Sequence, residues 1–188
     1  MCGFLSVSSI CEKQIAVSGN PQALALIQQA VKTNPVGKYY GLLVQKKYAI
    51  RFISPTEPKT LELRQCPVRF LSPGECVTLV ACGSSDGRQV LAILKFQKCF
   101  QIPLVALEAF KPLHCASEEE LASFRQKSAE RGFNHMWGWQ FALEHTFAEP
   151  PILTKTTGEV VWTCFATHDI QARSWVGVHF MRVVQNAY

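Results

Sequence analysis

Between residues 58 and 64 the chain reads Pro-Lys-Thr-Leu-Glu-Leu-Arg, and three side chains in that run can do chemistry: Lys59, Glu62 and Arg64. On a strand, Glu62 and Arg64 project from one face about 7 Å apart along the backbone, close enough to pair. Lys59, at the start of the strand, reaches the same mouth. Such a cluster is costly if buried without partners, so it should line a wet cleft or hold a polar ligand. Lys59 and Arg64 then supply cationic donors to a phosphate or a base edge. Glu62 orients Arg64 or accepts from an exocyclic amine. The competing reading is an ion-pair network that closes the fold from inside.

The surrounding charge favours an anionic partner. From Lys32 to Glu75 there are eight basic residues against three acids, and this segment holds the whole formal net charge of +5. From Gln101 to Glu149 the balance reverses, with four basic residues and seven acids. A basic stripe on an otherwise near-neutral protein suits a phosphate backbone, and a solvated lysine-rich face is its plain alternative. Within the stripe Lys46, Lys47 and Arg51 would extend a phosphate path, and Tyr48 or Trp137 could stack on a base. Core packing competes with stacking for Trp137, and more strongly for Trp139 and Trp162.

Composition excludes several classes. With 188 residues, 48% of them hydrophobic and 18% charged, the chain is expected to fold on its own core rather than remain disordered. No stretch approaches the roughly 20 apolar residues of a membrane span. Met1 to Ile10 lacks the basic start of a secretory signal, so an intracellular protein, cytoplasmic or nuclear, is expected. The eight cysteines show no paired spacing and no histidine at finger distance, which predicts reduced, mostly buried thiols and no metal. The five histidines likewise have no mutual spacing that implies a site, and no cofactor is expected.

These residues need elements to position them. Pro21 to Lys32 has the signals of a helix, with Asn20 as N-cap and proline at the first position. Lys38 to Gln45 reads as a strand, followed by a short amphipathic helix over Lys46 to Ile53. Pro55 and Pro58 force a loop before the Lys59–Arg64 strand. Cys76 to Cys82 and Arg88 to Phe96 read as strands joined by a hairpin at Ser84-Ser85-Asp86-Gly87. Leu104 to Phe110 reads as helical, and Ser117-Glu118-Glu119-Glu120 carries a capping box opening a helix to about Arg131. Trp137 to Phe147 alternates as a long strand with Trp137, Trp139, Phe141, Leu143, His145 and Phe147 on one face. Glu159 to Phe165 and Ser174 to Val184 suggest two more. Strands and helices do not alternate, so the expected fold class is α+β, a small mixed barrel with peripheral helices.

The order of these features resembles the ASCH domain family of the PUA-like superfamily, whose motif is G-x-K-x-x-E-x-R. Lys47-Tyr48-Ala49 and Phe52-Ile53 fill the places of the family's strand and short helix before the motif. Leu71-Ser72-Pro73-Gly74-Glu75-Cys76-Val77 fills the segment after it, and Trp137 to Leu143, Pro150-Pro151 and Gly158 to Trp162 match the later tryptophan-rich part. The resemblance covers roughly Lys38 to Phe165. It implies an ASCH-like β-barrel over residues 38–188, preceded by an N-terminal extension with one helix over residues 1–37. One departure stands at the family's glycine, which is Glu57 here, with Pro58 stiffening the loop.

The resemblance also implies a cleft for RNA or a nucleobase-containing ligand, and RNA or single-stranded nucleic acid is the expected partner. Some relatives are hydrolases of acetylated cytidine with the pattern K-T-x-T-x-R, in which the second threonine is the nucleophile and the lysine the base. Here Glu62 occupies the nucleophile position, and a carboxylate does not replace a hydroxyl in acyl transfer. Other relatives are described as ribonucleases, and Lys59 with His135 or Tyr48 would then serve as acid and base. No residue is assigned as catalytic; Lys59 and Glu62 would carry catalysis in an enzyme. Binding without catalysis is the leading expectation, hydrolysis of RNA or a modified nucleoside the first alternative, and a protein-interaction module the second.

Overall fold

The computed structural model describes residues 21–83, 87–153 and 161–171. Met1 to Gly19, the hairpin residues 84–86 and the expected strand over Ser174 to Val184 lie outside these residues. Helix α1 (Pro21–Ala30) begins with its proline, and strand β1 (Tyr39–Gln45) runs directly into α2 (Lys46–Phe52). Strand β2 (Leu61–Arg64) is followed by β3 (Cys76–Cys82) and by β4 (Arg88–Pro103). β4 continues seven residues beyond the end expected at Phe96. A 3-10 helix (Leu104–Phe110), α3 (Lys111–His114) and α4 (Glu118–Glu130) separate β4 from β5 (His135–Thr146). The short strands β6 (Ile152–Leu153), β7 (Trp162–Phe165) and β8 (Ile170–Gln171) complete the order.

The eight strands form one sheet in the order β2-β5-β4-β3-β1-β7, with β6 attached to β4 and β8 to β6. β1 pairs parallel with β3; the other pairs are antiparallel. The barrel expected from the sequence does not form, because the sheet is open, with β2 and β7 at its two ends. β2 is held to four residues between Pro58 and Pro67, neither of which can donate to a ladder. Only a side chain spans β2 and β1: Arg64 Nη2 donates to the Leu43 carbonyl at 3.1 Å.

Successive residues of β1 feed opposite faces of the sheet. Leu42 and Val44 join Phe52, Leu79, Trp139 and Phe141 in one core, whereas Leu43 joins Val80, Val90 and Ile93 in another. Ile27 and Val31 complete this second core, so α1 is docked on the sheet. The expected boundary at residue 37 falls in the turn between α1 and β1. A third cluster, Leu61, Leu63, Ile102, Leu107 and Leu121, packs β2 under the 3-10 helix and α4.

Two further expectations are corrected. β5 keeps its alternation through buried Trp139 and Phe141, but its register against β4 then skips Glu144. This bulge re-aims the strand, leaving Leu143 exposed and sending Phe147 to the second core. Of the six described cysteines, all free, only Cys76 is buried, and Cys66 is exposed.

Candidate functional site

Local backbone contacts bring the three motif residues to one place. The loop after α2 returns on itself, with the Lys59 N–H donating to the Arg51 carbonyl at 2.8 Å and the Thr60 N–H to that of Leu113 at 2.9 Å. β2 then pairs with β5, placing Glu62 opposite Trp139 and Arg64 opposite Trp137. Leu61 and Leu63 take the other face and anchor the strand in the third core.

Lys59 Nζ lies 2.6 Å from Glu62 Oε2, and Arg64 Nη2 lies 2.8 Å from Glu62 Oε1. The side chains of Lys59 and Glu62 are each 8% exposed, that of Arg64 21%. Burial pushes the Glu62 carboxyl up, but the Lys59 and Arg64 cations outweigh it and hold the group below the usual carboxylate range. Each cation thus takes one carboxylate oxygen, and Arg64 Nε has no hydrogen-bond partner among the described residues. Aromatic rings support both cations: Arg64 sits 5.8 Å from the Trp139 centroid and Lys59 Nζ 5.1 Å from that of Phe52.

This cluster lines a cavity of about 320 Å³. Leu43, Val44, Leu63 and Phe124 give it apolar walls, and Tyr48, Arg51, His114 and Glu120 add polar groups. Arg51 donates to the Cys115 carbonyl at 2.6 Å and to Glu120 at 3.1 Å, tying α2 to the α3–α4 turn. Burial again pushes the Glu120 carboxyl up, and the Ser117 backbone N–H and Arg51 overcome it, so the group is held low. His114 Nδ1 accepts from the Ala116 N–H at 2.9 Å, which leaves Nε2 to donate to the Leu107 carbonyl at 3.1 Å. Burial lowers its pKa, so both its contacts and its surroundings favour the neutral ring.

Lys59, Glu62, Arg64, Tyr48 and Arg51 thus come together around one cavity. Lys46 and Lys47 do not line it; they sit in an adjoining surface depression, where Lys47 Nζ lies 4.6 Å from the Tyr48 ring centroid. Trp137 is also outside the lining, half-buried against the first core, with its ring edge-on to His135. Thr60 is not among the lining residues either. Among the cavity residues that sequence reasoning missed are His114, Glu120 and Phe124. Only the capping box marked that region: Ser117 accepts from the Glu120 N–H, and Glu120 accepts from the Ser117 N–H. Among the described residues no three His, Cys, Asp or Glu side chains gather as a metal site.

No family model matches the chain, and no curated protein matches it by sequence. Solved structures of ASCH from Zymomonas mobilis do share its fold. One is 12% identical, covering 69% of this chain and 89% of that chain with a TM-score of 0.53. A variant carrying a serine-to-alanine substitution is 11% identical, covering 78% of this chain and 94% of its own length at the same TM-score of 0.53. A tyrosine-to-phenylalanine variant gives 10% identity, 78% and 96% coverage, and a TM-score of 0.53. The chain therefore has an ASCH-like fold, with its sheet open.

Proposed function

We propose that this protein binds RNA or single-stranded nucleic acid, holding one unstacked base in the cavity above Lys59, Glu62 and Arg64. One observation carries the reading: an ionised carboxylate held between two cations, all three on one short stretch of chain, lines about 320 Å³ of space. That volume falls within the 300–1,000 Å³ or so typical of small-ligand sites. A base edge presents donors and acceptors side by side, so an N–H of the base meets Glu62 while a ring nitrogen or carbonyl meets Arg64 or Lys59. Tyr48, half-buried at the wall, offers a ring for stacking. The two lining carboxylates nearly balance the three lining cations, which suits a base inside the cavity and phosphates outside it.

Binding of a labelled single-stranded RNA, followed across a salt series, tests this. Affinity should fall steeply with salt, and Arg64→Ala or Lys59→Ala should weaken it at least about tenfold, the loss of roughly one good base contact. Salt-insensitive binding, or equal affinity in both variants with folding intact by circular dichroism, would remove the reading's support.

A further inference from the structure

His114 is 1% exposed and commits both ring nitrogens to backbone groups. Nδ1 accepts from the Ala116 N–H in the turn between α3 and α4, and Nε2 donates to the Leu107 carbonyl of the 3-10 helix. Within that turn Cys115 holds a left-handed backbone, φ 52°, which an L side chain keeps only where its neighbours fix it. The same turn supports the cavity wall. Arg51 donates to the Cys115 carbonyl, and Glu120, which Arg51 also meets, accepts from the N–H of Ser117 just beyond. The wall that Arg51 and Glu120 build between α2 and α4 therefore hangs on a turn pinned by one neutral imidazole.

Resting on the nucleic-acid reading above, we infer that His114 is a positioning residue: its neutral ring keeps the cavity wall in its binding shape, and uptake of one proton releases the turn and with it Arg51 and Glu120. A proton on Nδ1 sets one N–H against another, so the Ala116 contact is lost and two buried donors face each other without an acceptor. Of the charged groups about the ring, Lys59 before β2 and Lys111 on α3 oppose a cation there, and Glu108 of the 3-10 helix favours one. Arg51 of α2 and Glu120 of α4 are matched to each other. Burial, with the two lysines, outweighs the Leu107 contact and Glu108 and holds the ring below the ordinary 6.5. The pinned turn is therefore fully favoured above that pH and loses ground as pH falls from there toward the folded value.

Hydrogen exchange of the full chain in neutral and mildly acid buffer, corrected for the intrinsic pH dependence of exchange, decides the matter with and without a mixed-sequence single-stranded RNA. Residues 115–121 should exchange by a local opening, with less protection than β3, and that protection should fall about tenfold per pH unit below 6.5, the slope for one proton taken up. RNA at about a hundred times its dissociation constant should restore about a hundredfold of protection, because it binds the pinned wall. In His114→Asn, whose side-chain carbonyl accepts from the Ala116 N–H without taking up a proton, the acid loss should vanish. Protection over 115–121 that matches that of β3, so that the turn opens only with the whole fold, overturns the inference, as does an equal acid loss in His114→Asn. So does a His114 ring that titrates at or above 6.5 by NMR, a measurement that needs no variant. RNA that binds without restoring protection overturns the positioning role alone and leaves the base pocket standing; no binding by the unaltered chain at neutral pH overturns both.

Discussion

Glu62 has its two cationic neighbours on its own short stretch of chain, three residues before it and two after. Its replacement by Gln keeps the shape and leaves Lys59 and Arg64 buried together without a counter-charge. Removing one member of a buried ion pair costs on the order of 3 kcal/mol or more, so Glu62→Gln should lower the urea midpoint clearly at neutral pH. The sign of the pH dependence follows from the lowered carboxyl. Because the folded value lies below the ordinary 4.5, the stabilisation is fully present above that pH and is lost as pH falls through the folded value. Unaltered protein and Glu62→Gln should therefore converge in stability in acid; a constant gap would mean that folding does not lower the Glu62 pKa. The Glu62–Arg64 pair was legible from spacing because a strand sets residues two apart on one face, and Lys59 joins it from just before β2. His114, Glu120 and Phe124 were not, since they reach the cavity from a separate stretch of chain and their own spacing says nothing about Lys59.

Among elements, β1 carries the site from its centre as well as its end. It lies between β3 and β7, with Gly41 opposite Thr78 on one side and Thr163 on the other. A Cβ added at Gly41 would stand 2.8 Å from Val80 Cγ2 and 2.9 Å from Thr163 Cγ2, both on β-branched side chains with little freedom to turn. Gly41→Ala should cost about 1–3 kcal/mol by overpacking, measured as a lower urea midpoint; an unchanged midpoint would show that the strands relax apart at no cost. Local signals located most elements well. The capping box starts α4 at the residue expected, because a cap is satisfied within four residues. The bulge at Glu144 had no such signal: a bulge depends on the partner strand's register, and β4 lies far from β5 in sequence.

At the scale of the molecule, α1 shows how packing assigns a segment to a fold. Ile27 is fully buried in the core that β1, β3 and β4 share, so Ile27→Ala should destabilise the whole protein by about 2–5 kcal/mol in a single unfolding transition. A detached N-terminal extension would instead leave the main transition unmoved. The periodicity of the chain was enough to establish a mixed α+β architecture, the order of its central elements and the polar triad at its edge, because each depends on near neighbours along the backbone. Whether the sheet closes was settled by distance in space: two prolines keep β2 short, and the Arg64 side chain, not a ladder, reaches from β2 to Leu43 of β1. The same long-range contacts made the cavity, since only folding brings β1, β2 and α4 around one carboxylate.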